Sequence, residues 1–390
     1  MQRPRMAVIG LASLGVLAGC GSASGGSGVG VFAWTSVPAP ANTKEAQLAA
    51  ISCVSTTDCW AVGTSGKGQP LVVHATASGW AVASAPTFSG GGGLNAVTCW
   101  SVTECWAVGD ANSGSQSGPQ IFGYVSGSWQ AIPSDVQTAA TSLYGIACAA
   151  ADDCWAVGEV ATPSASTPES PLIEHWDGSE WTMVSAPVPY DTSAAPILGS
   201  VSCPSVAVCW AVGGLADGSG LIERYTDGAW STPEQYPDVQ WNGVSCTSPV
   251  DCWAVGVVGG GTAIAEPIVG HYTGGDIWDE EAGPSLPKGS ELTSIACVTA
   301  TDCWVVSNPS PDSAATPPTI VHYDGKWTVV RTQAVPTALI TAASTKVVNE
   351  RLGGITCPSA GDCWVVGTRD LYTKTPPLAP LIIHGTMAGG

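Results

Sequence analysis

From residue 31 onward the sequence reads as short apolar runs separated by Gly, Pro, Asp and Ser, and the runs recur in sets of four. The first of a set is brief, as in Val244-Ser245-Cys246. The second is Cys-Trp-Ala-Val-Gly, as at 252–256, and the third is typified by Leu172-Ile173-Glu174-His175-Trp176. A tight turn follows, such as Asp177-Gly178, Asp227-Gly228 or Asp324-Gly325, and Asp-Gly is a strong hairpin signal. The fourth run opens with a second recurring Trp: Trp80, Trp129, Trp181, Trp230, Trp278 or Trp327. It often ends at Pro, which cannot donate to a ladder and suits an outer edge. Each set predicts a four-stranded antiparallel sheet.

The sets are numbered by cysteine. Seven pairs, each with five residues between partners, run Cys53/Cys59, Cys99/Cys105, Cys148/Cys154, Cys203/Cys209, Cys246/Cys252, Cys297/Cys303 and Cys357/Cys363. Trp60, Trp106, Trp155, Trp210, Trp253, Trp304 and Trp364 follow the second Cys of each pair. A repeat of about 50 residues built from strands reads as a propeller blade rather than a solenoid coil. The seventh fourth-strand Trp is missing downstream of Cys363 and stands at the other end of the chain. Trp34-Thr35-Ser36-Val37-Pro38-Ala39-Pro40 matches Trp181-Thr182-Met183-Val184-Ser185-Ala186-Pro187, while the C-terminal repeat stops after its third strand, Leu381-Ile382-Ile383-His384. Splitting one repeat between the ends serves a closed ring, because it ties the ends together and removes an exposed edge. The expectation is an all-β, seven-bladed β-propeller over 31–385, four strands per blade, with the last blade closed by residues 31–37.

Composition agrees. Among 390 residues, 48 Gly and 29 Pro punctuate the chain, and a helical bundle is excluded. A hydrophobic content of 45% excludes disorder. The net charge of −19 argues against nucleic acid and against adsorption to anionic lipid, both of which need a positive face.

The first 19 residues read as a signal. Arg3 and Arg5 precede an apolar stretch, Met6 to Leu17, too short to span a bilayer. Leu17-Ala18-Gly19-Cys20 resembles the bacterial lipobox, which implies cleavage before Cys20, its lipidation, and anchoring outside the cytosol. Residues 20–30 then form the lipidated Cys and a Gly/Ser tether, and 386–390 a short C-terminal tail. His322-Tyr323-Asp324-Gly325-Lys326-Trp327 resembles the kelch-type propeller repeat, and the turns are also similar to the Asp-box repeats of sialidase-like propellers. The chain departs from kelch in lacking the double Gly after strand two and in adding the Cys pair. The pattern as a whole is similar to Cys-rich secreted actinobacterial propellers.

A Cys spacing of five differs from the two to four usual in zinc sites, and seven zinc half-sites around a ring have no chemistry to serve. Outside the cytosol the pairs read as disulfide staples across the first hairpin of each blade. The five His (His74, His175, His271, His322, His384) share one repeat position, late in strand three, which Arg224 and Gly123 occupy in the other two blades. One position repeated around a ring cannot converge on one substrate, so these His read as structural; this counts against the copper site the kelch resemblance would allow. Asp58, Glu104, Asp153, Asp251, Asp302 and Asp362 precede the second Cys, with Val208 the exception, and read as caps of turn amides. Sialidase-like chemistry needs an Arg cluster, and the mature chain has four Arg: Arg224, Arg331, Arg351 and Arg369. No metal or cofactor is expected.

The tight hairpins barely vary among repeats, whereas the loops between strands two and three and those leading into strand one vary widely. Function on a repeat scaffold resides in such loops. Ahead of each first strand runs a Leu-x-small-aliphatic pattern whose x is Ala49, Asn95, Tyr144, Gly199, Asn242, Thr293 or Gly353. These positions are expected at the mouth of the axial channel, with Trp241, which replaces the Leu, in the core. The candidate ligand face comprises Asn95, Asp110, Tyr144, Glu159, Asn242, Thr293, Arg351 and Arg369. The sequence points to a monomeric, non-catalytic, lipid-anchored surface protein that recognises a protein or glycan. The alternative is a glycoside hydrolase or lyase using acids on the same face.

Overall fold

A computed structural model describes residues 31–88, 90–111, 118–136, 141–160, 171–187, 196–260, 265–275, 277–309, 318–330, 346–372 and 378–388. The signal segment, Cys20 with its tether, and Arg331 lie outside the described residues. Strand β1 (Val31–Ser36) comes first, before any complete blade. Blade one is β2 (Gln47–Ser55), β3 (Asp58–Thr64), β4 (Pro70–Thr76) and β5 (Gly79–Val82). Blade two is β6 (Gly92–Ser101), β7 (Glu104–Ala111), β8 (Gly118–Val125) and β9 (Ser128–Ile132); blade three is β10 (Thr141–Ala150), β11 (Asp153–Val160), β12 (Pro171–Trp176) and β13 (Trp181–Met183). Blade four is β14 (Pro196–Ser205), β15 (Val208–Leu215), β16 (Gly220–Thr226) and an outer strand in two pieces, β17 (Ala229–Trp230) and β18 (Glu234–Tyr236), with Pro233 between them. Blade five is β19 (Val239–Ser248), β20 (Asp251–Val258), β21 (Glu266–Tyr272) and β22 (Asp279–Glu281); blade six is β23 (Ser290–Thr299), β24 (Asp302–Pro309), β25 (Thr319–Tyr323) and β26 (Trp327–Val330). Blade seven is β27 (Lys346–Ser359), β28 (Asp362–Tyr372) and β29 (Leu378–Ala388), completed by β1.

Every blade is an antiparallel meander, and the first strands of neighbouring blades touch all the way round, β27 meeting β2. The molecule is a seven-bladed β-propeller. The split blade closes it: Trp34 lies opposite Gly385 and Thr35 opposite His384 on β29.

The two recurring Trp explain how blades adhere. The strand-two Trp of each blade meets the strand-four Trp of the next edge-on, as in Trp60–Trp129 (5.3 Å, 80°) and Trp210–Trp278 (5.1 Å, 88°). The N-terminal strand keeps the pattern, with Trp34 against Trp304 at 5.4 Å, and Trp364 then meets Trp80 at 5.5 Å. Edge-to-face pairs of this kind contribute about 0.5–1.5 kcal/mol each beyond area burial. Most blades place a Tyr or Trp just after the His position against the preceding blade's Trp, as Tyr272 does on Trp210. Blade seven has Gly385 there, and Phe32 from β1 fills the space, 4.4 Å from Trp304.

All seven Cys pairs are disulfides between strands one and two: Cys53–Cys59, Cys99–Cys105, Cys148–Cys154, Cys203–Cys209, Cys246–Cys252, Cys297–Cys303 and Cys357–Cys363, with Cα atoms 3.9–4.1 Å apart. In the chain-entropy view each short loop contributes roughly 2 kcal/mol. Ser Oγ atoms beside the first Cys latch adjacent blades: Cys99 N donates to Ser52 and Cys297 N to Ser245, both at 3.0 Å.

The pairs are staples across the first hairpin, as expected, and the two Cys of a pair are not equivalent. The first is half-buried, whereas the second is sealed in the core between blades. Cys59 packs with Trp364 and Trp80, Cys105 with Trp60 and Trp129, Cys154 with Trp106 and Trp181, and Cys252 with Trp210 and Trp278. Cys303 joins Trp253 in the same way. The second Cys is thus core packing as well as cross-link, since strand two is buried on both faces. Its sulfur also lies against the carbonyl that opens the turn. Cys59 Sγ is 3.6 Å from Ser55 O, Cys105 Sγ 3.8 Å from Ser101 O, and Cys154 Sγ 3.7 Å from Ala150 O. Cys252 Sγ and Cys303 Sγ lie 3.7 Å from Ser248 O and Thr299 O. A disulfide sulfur carries no proton to donate, so these are packing contacts of the closed turn rather than thiol hydrogen bonds.

Candidate functional site

The register of strands one and two shifts after the Leu of six blades and after Trp241 in blade five, at Leu48/Ala50, Leu94/Ala96, Leu143/Gly145, Leu198/Ser200, Trp241/Gly243, Leu292/Ser294 and Leu352/Ile355. The x residue of the repeat is therefore the extra residue of a β-bulge. A bulge re-aims its side chain out of the pleat, and here it aims toward the axis. The bulge also presses strand one onto strand two, which is why Gly recurs there: a Cβ on Gly256 would collide with the Gln240 carbonyl oxygen. Trp241 is buried in the core, as its Leu-like position predicts.

All seven x residues line one cavity of about 290 Å³ on the axis, with the next two positions of each first strand. Because strand one begins and strand two ends at the variable-loop face, the cavity lies toward that face. Its wall is uneven. Ala49, Gly199 and Gly353 contribute little side chain, whereas Asn95, Tyr144, Asn242 and Thr293 put polar groups on it. Asp110 and Glu159 do not line the cavity but bond the lining residues of their own blades. Asn95 Nδ2 donates to Asp110 Oδ1 at 3.2 Å, and Tyr144 Oη donates to Glu159 Oε1 at 2.5 Å. Burial, reinforced by the Glu159 contact and the nearby Asp110 charge, pushes the Tyr144 phenol up to about 12. Tyr144 thus stays a proton donor across the physiological range.

The amides have a second task. Asn95 Nδ2 also donates to Leu143 O at 2.9 Å, and Asn242 Nδ2 donates to Leu292 O at 2.8 Å, each reaching the bulge of the next blade. Asn308, which the repeat pattern does not single out, does the same twice: its Nδ2 donates to Leu352 O at 2.7 Å and its Oδ1 accepts from Leu352 N at 2.8 Å. Thr293 Oγ1 accepts from Asn308 Nδ2 at 3.1 Å. Asn95 and Asn242 are thus clamps between blades as well as cavity lining.

Arg351 and Arg369 do not line the cavity. Arg351 is exposed on β27, and Arg369 on β28 pairs with Glu350 at 3.7 Å. Burial raises the Glu350 carboxyl and lowers the Arg369 guanidinium, outweighing their mutual attraction.

The repeated His and Asp lie at the opposite face. In five blades His Nε2 donates to the Asp before the second Cys, at 2.8–3.2 Å. The imidazole stacks on its own blade's strand-two Trp, at centroid distances of 3.7–4.2 Å. These Asp therefore orient His, where turn capping was the expectation. Blade four lacks both partners: Val208 replaces the Asp, and Arg224 lies 5.1 Å over Trp210 and donates to Tyr272 Oη. Blade two, with Gly123, lacks the His. Among the described residues no group of three or more His, Cys, Asp or Glu is placed to hold a metal ion.

No protein-family model matches the chain, and no curated protein does. Solved structures do. The chain is similar to YCF48 bound to D1 peptide, at 14% identity and TM-score 0.53, covering 94% of this chain and 100% of that one. YCF48 from Cyanidioschyzon merolae aligns at 14% identity and TM-score 0.52, over 90% of this chain and 98% of that one. The GH74 xyloglucanase from Xanthomonas campestris aligns at 11% identity and TM-score 0.56, over 89% of this chain but 55% of the xyloglucanase. The likeness is one of fold. Propellers of this architecture serve both a peptide-binding protein and a glycoside hydrolase.

Proposed function

We propose that this protein is a non-catalytic binding propeller, held by a lipid at Cys20 on the extracytoplasmic side of a membrane, that takes a protein or glycan ligand at the cavity end of its axis. The supporting observation is the asymmetry of the cavity. A scaffold of seven like blades does not call for Asn95, Tyr144, Asn242 and Thr293 at the axial position of four blades and Ala49, Gly199 and Gly353 at the other three. The strand ends that carry the variable loops lie at the cavity's face, so a ligand would meet a polar anchor at the centre and blade-specific residues around it. The seven disulfides fit an oxidising compartment outside the cytosol. That a propeller of similar fold was solved with a D1 peptide supports a protein or peptide ligand.

Glycosidases set two carboxyl groups facing each other across the scissile bond. Asp110 and Glu159 each already accept a hydrogen bond from an x-position residue of their own blade, Asn95 or Tyr144. Carboxylates engaged in this way support anchoring over acid–base work. The test is to screen the mature protein against a glycan array and a displayed peptide library, then repeat the hits with Tyr144→Phe and Glu159→Gln. Binding that weakens in both variants is expected. Turnover of a glycan, lost in Glu159→Gln, overturns the non-catalytic reading.

A further inference from the structure

The two faces of the ring differ in a way the cavity does not use. Among the described residues, most of the large apolar side chains left exposed lie on the hairpin face, opposite the cavity. Trp100 lies just before the β6–β7 turn and Val102 within it, and Val206 and Val250 occupy the matching turns of blades four and five. Val125 and Ile277 sit at the turns into the fourth strands of blades two and five, and Met387 lies near the end of β29. Antiparallel pairing puts all these ends on the same face. Trp100, 50% exposed, belongs to neither recurring Trp position, so the repeat does not account for it.

The chain also enters the ring on this face. Val31 lies opposite Ala388 and Ser36 opposite Ile383, so β1 starts at the hairpin end and runs toward the variable loops. Cys20 precedes Val31 by 11 residues, a reach of at most about 40 Å fully extended. Resting on the reading of Cys20 as lipidated, we propose that the hairpin face docks on the membrane that holds the anchor, and that the axial cavity faces away from lipid. Trp at the headgroup level is favourable because its ring is amphipathic. The tether holds the face at high effective concentration over the bilayer, so a few apolar tips suffice to orient it. Glu104, Asp152, Asp177, Asp227 and Asp324 are exposed on the same face. Docking is therefore shallow, strongest on zwitterionic lipid and weakened by anionic headgroups.

The mature chain carries two Met as internal probes: Met387 on the hairpin face, 50% exposed, and Met183 on the outermost strand of blade three, 45% exposed. The lipidated protein is placed on phosphatidylcholine vesicles, and the unlipidated Cys20→Ala protein is kept in solution. Both are oxidised by hydroxyl radicals, and each Met sulfoxide is followed by mass spectrometry. On vesicles Met387 is expected to oxidise several-fold more slowly than in solution, with Met183 unchanged. Adding phosphatidylglycerol is expected to reduce the protection, and so is the exposed-site variant Trp100→Ser/Val102→Ser. Protein that floats with the vesicles while Met387 oxidises as fast as in solution overturns the docking and leaves the anchor standing. Protein that does not float overturns both.

Discussion

Glu223 offers a quantitative test of how the blades pack. It lies opposite Ala211 on the β15–β16 ladder, facing the core between blades three and four, where Cys209 and Ala211 meet Trp155 and Ile173. The residue is fully buried, and neither carboxylate oxygen has a hydrogen-bond partner among the described residues. Desolvation pushes its pKa from 4.5 to about 8. Glu174, at the same position of the preceding blade, is as buried but accepts a hydrogen bond from Ser134 Oγ at 2.7 Å. Burial pushes it up too, but the Ser134 bond limits the rise to about 7. Between pH 4.5 and 8 the folded protein binds the Glu223 proton and the unfolded chain releases it, so stability falls as pH rises through that window. At about 1.4 kcal/mol per pH unit, the loss is of order 5 kcal/mol, complete above the folded pKa. Glu223→Gln removes the titration while keeping the shape and a buried polar group. The variant is expected to match the parent near pH 4 and to exceed its stability by several kcal/mol at pH 9. Urea unfolding with disulfides intact, run on both proteins across this range, gives the difference directly, since all other titrations cancel. A difference that stays flat with pH, or that favours the parent at high pH, refutes the assignment of Glu223 as a buried carboxyl without a partner.

Two further outcomes test the ring itself. Trp34→Ala removes the ring that packs on Trp304 and Phe32, and is expected to cost about 3 kcal/mol and to expose the β1 segment to protease; an unchanged unfolding midpoint would contradict closure by β1. Alkylation of denatured, unreduced protein is expected to label none of the 14 paired Cys, and reduction should then expose them all.

Strand count, ring size and the split blade were legible because each repeats a short local signal: Cys-x5-Cys-Trp, an Asp-Gly turn, a second Trp. The x positions were legible as axial, but the reason was not, because a bulge depends on the register between two strands rather than on either one. The pairing of Cys59, Cys105, Cys154, Cys252 and Cys303 was legible from spacing, but their burial between blades was not, since it depends on the Trp of the preceding repeat. The role of Asn95 and Asn242 as clamps escaped for a similar cause: their acceptors, Leu143 and Leu292 carbonyls, lie about 50 residues away on the next blade. The His–Asp pairs did leave a trace, since the blade that loses Asp to Val208 also loses His to Arg224. Reading the two positions jointly would have paired them. Nothing in the sequence singles out Glu174 and Glu223 in strand three; burial between blades sets them apart.

The placement of cross-links and closure orders the events of folding. Each disulfide joins residues six apart, so a hairpin can form within microseconds and oxidise as soon as it meets an oxidising medium, without waiting for distant partners. The β1–β29 seam is the reverse, with Thr35 and His384 separated by 349 positions. Contacts of such span form late and slowly. Until the last strand is delivered, β1 has no partner and the growing stack carries raw edges of the kind that proteases and chaperones recognise. A truncated product would keep those edges permanently. Closure through the first strand thus makes the protection of every blade conditional on the chain having been delivered to its end.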